Sequence, residues 1–330
     1  MRVLGVLFGL VLAVLGACGP GPGGSANAGT PGEGVRIVAL SPAVAVMLRD
    51  LGLADRVVGR HDYDLILPEH VPKVGHQEAV DYERLLSTRP THVLIEWGQR
   101  PLPPRLTDLA ASNGWEVVAI RLLTLDDIAH TLDDLALRFG VVDFGPGASG
   151  RPPGVPPAGG LGALPRFTDP AERFGAELPS ARLARAWSPR DGGLGSVGRV
   201  LLLGATDPFG ALGPGSFHHE ILLRIGGVPA ITEGSPWMEL DAEDVLRLAP
   251  DAIVLIAPRG VDAEAGAAGP GEVLARLGRV GTLDIPAVRA GRLGLIDDPL
   301  SLTPSTAMAG FADELAGLLS GWKDSGRDGP

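Results

Sequence analysis

A sixteen-residue pattern occurs twice in this chain, at residues 80–95 (VDYERLLSTRPTHVLI) and again at residues 240–255 (LDAEDVLRLAPDAIVL). Each copy reads apolar, Asp, any, Glu, any, Leu or Val, Leu, three variable residues, Pro, two variable residues and three apolar ones. The aspartate, Asp81 or Asp241, suits a helix cap, because its carboxylate can accept from the free N–H groups of a first turn. The glutamate, Glu83 or Glu243, falls in that turn, where the helix dipole favours negative charge. Pro90 or Pro250 follows the helix, since the residue before a proline is pushed out of the helical region. The apolar run after it, residues 92–95 or 252–256, reads as a buried strand. One helix–strand unit used twice predicts two similar lobes, each presenting one acidic helix end.

Length agrees: 330 residues exceed what one hydrophobic core usually organises. Strands alternating with helical stretches indicate an α/β chain with parallel sheets. A net charge of −11 without a basic cluster excludes nucleic acid as the partner.

The first residues read as a processing segment. Arg2 precedes an apolar run at residues 3–15, too short to span a bilayer, which ends in Leu15, Gly16, Ala17 and Cys18. This looks like a bacterial lipobox, so residues 1–18 are expected to be a lipoprotein signal peptide with Cys18 as the lipidated residue. Cys18 is the only cysteine, so no internal disulfide can form. Residues 19–34 (GPGPGGSANAGTPGEG) read as a flexible tether from a membrane anchor.

Beyond the tether the expected organisation is an N-terminal α/β lobe (35–140), a Pro/Gly-rich insertion with a bridging helix (141–198), a C-terminal α/β lobe (199–320) and a disordered tail (321–330). Within 141–198, residues 170–187 regain helical character, although Pro179 is expected to kink or break that helix. The second lobe restarts at residues 199–203 (RVLLL), which echo residues 36–40 (RIVAL). A loop (204–215), a helix (216–225) and two glycines follow, and the duplicated unit arrives at the same relative place. A final helix is expected from about residue 305 to 319.

Several phrases carry a family resemblance: RIVALSP at 36–42, LGLADRVVG at 51–59, PKVG at 72–75 and GPGSF at 213–217, together with the two acidic units. In order and spacing the chain resembles the substrate-binding proteins of bacterial ABC importers for vitamin B12 and ferric siderophores, over residues 35–140 and 199–319. The resemblance implies two Rossmann-like, three-layer lobes with parallel sheets joined by a single bridging helix. It implies ligand capture in the inter-lobe cleft, with little closure. It further implies docking of Glu83 and Glu243 onto arginines of the membrane permease, whose ATPase drives uptake. Exposed carboxylates of this kind can take bidentate arginine contacts.

The cobalamin binders of that family line their cleft with aromatics. The matching positions here hold Tyr63, Trp97, Phe209 and Trp237, and Gln77 stands where a further aromatic is expected, six residues before Glu83. The resulting expectation is a corrinoid-binding protein. A ferric siderophore or heme is the alternative, with Arg60, His61, His76 and Arg100 available for an anionic chelate. A heme would take Tyr63 or a histidine as axial ligand.

Other chemistries find less. His218 and His219 invite a zinc or manganese site completed by His61, His76 and Asp297. However, adjacent residues on a helix point about 100° apart and serve one ion poorly, and a helix partly facing solvent explains the pair. There is no Gly-x-Ser-x-Gly elbow, Walker loop or His-Glu-x-x-His, so neither an enzyme nor a resident cofactor or metal is expected.

Overall fold

The apolar runs of the first half alternate between two packed layers. In the computed structural model, which describes residues 34–141, 178–190, 193–260 and 270–325, the first lobe contains β1 (Ile37–Leu40), α1 (Pro42–Asp50), β2 (Val57–Arg60), β3 (Gly75–His76), β4 (Ala79–Val80), α2 (Tyr82–Ser87), β5 (His92–Glu96), α3 (Pro104–Asn113), β6 (Glu116–Ile120) and α4 (Leu125–Arg138). Its sheet runs β2-β1-β5-β6, all parallel. Ile37 and Ala39 point into the layer holding α1 and α4, while Val38 and Leu40 point toward Leu85 of α2 and Leu106 of α3. Burial on both faces is why these strands read as continuous apolar runs.

After α5 (Pro179–Ala186), the second lobe is built from β7 (Arg199–Thr206), β8 (Phe209–Leu212), α6 (Phe217–Arg224), β9 (Val228–Pro229), β10 (Trp237–Leu240), α7 (Ala242–Leu248), β11 (Ala252–Ile256), α8 (Pro270–Leu277), α9 (Pro286–Arg289), β12 (Leu293–Ile296) and α10 (Ala307–Ser325). Parallel pairs β9-β7-β11-β12 repeat the order β2-β1-β5-β6 of the first lobe. Leu201, Leu203, Ile253 and Leu255 pack with Val245 of α7 and Val273 of α8.

The inner faces of the two sheets share one apolar cluster. Val44 and Leu132 of the first lobe belong to it together with Trp187, Ile221, Val254 and Leu315. α5 packs on both α4 and α10. At about 1.5–3 kcal/mol for each large apolar side chain withdrawn from water, this layer ties the lobes together strongly. Arg224 of α6 pairs with Asp126 of α4 at 2.8 Å across the same junction.

Three expectations need correction. The second sheet is mixed rather than parallel: β8 runs antiparallel to β7, and β10 antiparallel to β8. Much of the expected loop at 204–215 is this hairpin, whose apolar alternation is interrupted by Gly204, Asp207, Pro208 and Gly210. Pro179 opens the helix Pro179–Ala186 at its first position, where its missing N–H is not needed, and the part of 170–187 before residue 178 lies outside the described residues. The tail does not begin at residue 321, because α10 continues to Ser325, with Trp322 packed against the shared core. The segments 1–33 and 142–177 lie outside the described residues, and with them the signal peptide, Cys18, nearly all of the tether and most of the expected insertion and bridge.

Candidate functional site

The carboxyl ends of parallel strands are where α/β sheets expose loops and helix N-termini, and recognition groups gather there. In the first lobe β1 leads into Ser41, which caps α1 and donates its hydroxyl to Glu96 Oε2 at 2.7 Å, tying the ends of β1 and β5 together. β5 runs on into Trp97 and β6 into Arg121. These ends border a pocket of about 410 Å³ lined by His76, Gln77, Glu96, Trp97, Arg100 and Arg121, among others.

The loop after β2 brings Tyr63 to the same region. His61 is buried and holds this loop: the Tyr63 N–H donates to its Nδ1 at 3.0 Å. The proton therefore sits on Nε2, which donates to Gln77 Oε1 at 2.9 Å. The Tyr63 ring is 71% exposed and stacks on His76, with centroids 6.1 Å apart and planes 29° apart. Sequence reasoning passed over Asp64, the anchor of this loop. Its buried carboxylate accepts from the N–H groups of Ile66 (3.1 Å) and Leu67 (2.7 Å). The Asp62-Tyr63-Asp64 run was its only signal. Arg60, expected to be free for an anionic chelate, is buried instead; its Nε donates to the Val71 carbonyl at 2.8 Å, and it faces Asp64 at 3.9 Å.

Trp97 is half-buried, its indole N–H donates to the Pro101 carbonyl at 2.8 Å, and the Arg100 guanidinium lies 4.0 Å from its ring centroid. One face of this aromatic is therefore already covered.

In the second lobe Trp237 opens β10 and is 48% exposed. The sequence makes a seat for it. A methyl group on Gly210 would lie 2.1 Å from Trp237 Cζ2, and one on Gly204 2.8 Å from Cζ3, so the indole rests on backbone that carries no side chains. Phe209 does not join it: only 7% exposed, it packs into the core of this lobe with Leu203 and Ile231. The strand alternation that turns Trp237 outward turns Phe209 inward.

The two acidic units fold alike. Asp81 Oδ1 accepts from the Arg84 N–H at 3.0 Å, and Asp241 Oδ1 from the Asp244 N–H at 2.8 Å. Asp244 returns a bond to the Asp241 N–H, and this bond and Arg247 hold its pKa below the usual carboxylate value. Arg84 pairs with Asp81 and Arg247 with Asp244. Glu83 and Glu243 are exposed, and no ion pair engages either among the described residues.

His218 and His219 are both buried rather than solvent-facing, and each serves a different carbonyl. His218 Nε2 donates to Ser301 at 2.7 Å, and His219 Nε2 to Ile231 at 3.0 Å. Among the described residues no three His, Cys, Asp or Glu side chains are gathered as metal ligands.

Solved periplasmic binding proteins share this architecture. The periplasmic heme-binding protein HutB of Vibrio cholerae matches with a TM-score of 0.60 at 17% identity, over 86% of this chain and 98% of that one. The periplasmic vitamin B12-binding protein BtuF of Vibrio cholerae matches at 0.57 and 15% identity, over 87% and 97%. A periplasmic heme-binding protein from Pseudomonas aeruginosa matches at 0.56 and 19% identity, over 88% and 93%. No protein-family model matches the sequence, and no curated protein is detectably similar to it. The fold is that of the class III periplasmic binding proteins, as the family resemblance implied.

Proposed function

We propose that this chain is the substrate-binding component of a bacterial ABC importer and that it captures a flat metal-centred macrocycle, a corrinoid or a heme. The observation that carries the reading is the pair of exposed aromatics on preformed seats. Tyr63 stands on the His61–His76 cluster of one lobe and Trp237 on the glycine seat of the other. Rigid aromatic faces bind a broad ring at little entropic cost. A fold shared with heme- and B12-binding proteins supports the same ligand class. Trp97 and Gln77 are assigned to the first-lobe wall of the site. Phe209, buried as it is, is assigned to packing.

Heme is favoured over a siderophore by one further feature: the exposed phenol of Tyr63 beside His76, since phenolate and imidazole oxygen and nitrogen are axial ligands for heme iron. Delivery to the permease and its ATPase is assigned to Glu83 and Glu243, the exposed carboxylates left unpaired when the caps are satisfied. Lipid attachment at Cys18 would hold the receptor at the membrane, on the periplasmic side or the cell surface. Function is capture rather than catalysis.

Calorimetry of the purified protein against hemin, cyanocobalamin, a ferric hydroxamate siderophore and zinc tests the ligand class. Sub-micromolar binding of a macrocycle is expected. Tight zinc binding with no heat from any chelate would overturn it.

A further inference from the structure

The pocket at the ends of β5 and β6 contains one guanidinium that no carboxylate engages among the described residues. Arg121 is engaged by Asp127 at 2.7 Å. Arg60, near the same loops, is buried against Asp64. Arg100 is exposed, and no carboxylate pairs with it among the described residues. Of the acids lining the pocket, Glu96 is held by the Ser41 hydroxyl. Glu78 is exposed in the turn between β3 and β4.

Arg100 is nevertheless not loose. Its guanidinium stacks on the Trp97 ring at 4.0 Å, and its Nε is turned to the Trp97 carbonyl at 3.4 Å. The Trp97 indole N–H in turn closes the loop on Pro101. Stacking satisfies the face of a guanidinium and leaves its in-plane N–H fork open at the edge. That fork matches a carboxylate, which it can hold through two parallel charge-assisted bonds, about twice as strong as neutral ones. A fork fixed before the ligand arrives loses less freedom on binding than a mobile side chain would.

We infer that Arg100 selects a ligand bearing carboxylates on the rim of its ring. This rests on the macrocycle reading above and decides within it. A heme carries two carboxylates at its edge, whereas the rim of cobalamin is amidated and offers the fork only neutral acceptors. The Trp97–Arg100 stack is then an edge clamp for the ligand's acid groups rather than a bare stacking face.

The test compares hemin, hemin dimethyl ester and cyanocobalamin as probes of the full-length protein by quenching of tryptophan fluorescence. The wild type is expected to prefer hemin to its ester by about tenfold or more, the effect of one charge-assisted hydrogen bond. Arg100→Gln should lose that factor with hemin and leave ester affinity unchanged, while Arg100→Lys keeps part of it. Arg121→Gln should leave the ratio alone. An Arg100→Gln protein with the wild-type ratio, or a wild type that prefers cyanocobalamin, overturns the inference and spares the macrocycle reading. A wild type that binds none of the three overturns both.

Discussion

Arg36 Nε donates to the main-chain carbonyl of Arg89 at 3.0 Å, and its Nη2 to that of Thr88 at 2.6 Å, closing the carboxyl end of α2. The second lobe repeats the device: Arg199 Nη2 donates to the carbonyl of Ala249 at 3.0 Å, at the end of α7. Even the backbone agrees, since the Arg36 N–H donates to Thr91 Oγ1 and the Arg199 N–H to Asp251 Oδ2. The duplicated unit therefore extends to the arginine at the start of each lobe, Arg36 just before β1 and Arg199 at the first position of β7. Arg36→Met is expected to destabilise the fold by about 1–2 kcal/mol, and the more exposed Arg199→Met by about half that, because each leaves helix-end carbonyls without their cationic donor. Urea denaturation checks both.

Arg89 and Ala249 share a second property. Both precede the repeat proline, and both are left-handed, with φ of 46° and 41°. A side chain costs about 1–2 kcal/mol there, while glycine costs mainly freedom in the unfolded chain. Ala249→Gly should therefore be neutral or stabilising by up to about 1 kcal/mol, and Ala249→Val clearly destabilising. Equal melting temperatures for the two would contradict the strain.

Burial lowers the pKa of His218 below its ordinary 6.5, because a charged ring would lose its water, an effect the Ser301 carbonyl only partly offsets. In the unfolded chain the ring keeps its ordinary value, so on acidification the unfolded state takes up the proton first. The contribution is full above about pH 6.5 and falls as the pH drops toward the lowered folded value. His218→Gln keeps a donor for Ser301 and removes the titration, so its stability should decline less steeply between about pH 7 and pH 5. The decline is not abolished, because burial also lowers His92.

The glycine seat of Trp237 makes a coupled prediction. Gly210→Ala places a methyl group 2.1 Å from the indole and must displace it. Macrocycle affinity should fall as far as in Trp237→Ala, and the double variant should be no worse than either single one. Additive losses would mean that the glycine acts elsewhere.

Much of this was legible in the sequence. Asp81 and Asp241 cap their helices because a carboxylate three residues before a free N–H is a local rule, and β5 and β11 read as buried strands because their apolar runs are covered on both faces. What the sequence hid was decided at a distance. β8 reads as loop because its Gly210, like Gly204 of β7, admits Trp237, which comes from β10. Phe209 and Trp237 looked alike as loop aromatics, and only the hairpin register separates the buried one from the exposed one. Arg60 looked like a free cation because its partners, Val71 and Asp64, are fixed by the folding of the loop between them.

The most direct measurement is the affinity of hemin and cyanocobalamin for the wild type, Tyr63→Ala and Trp237→Ala proteins. Capture by aromatics from both lobes predicts that each substitution weakens the bound macrocycle by about tenfold or more, without altering the fold. Wild-type affinity in either variant would contradict a site shared between the lobes.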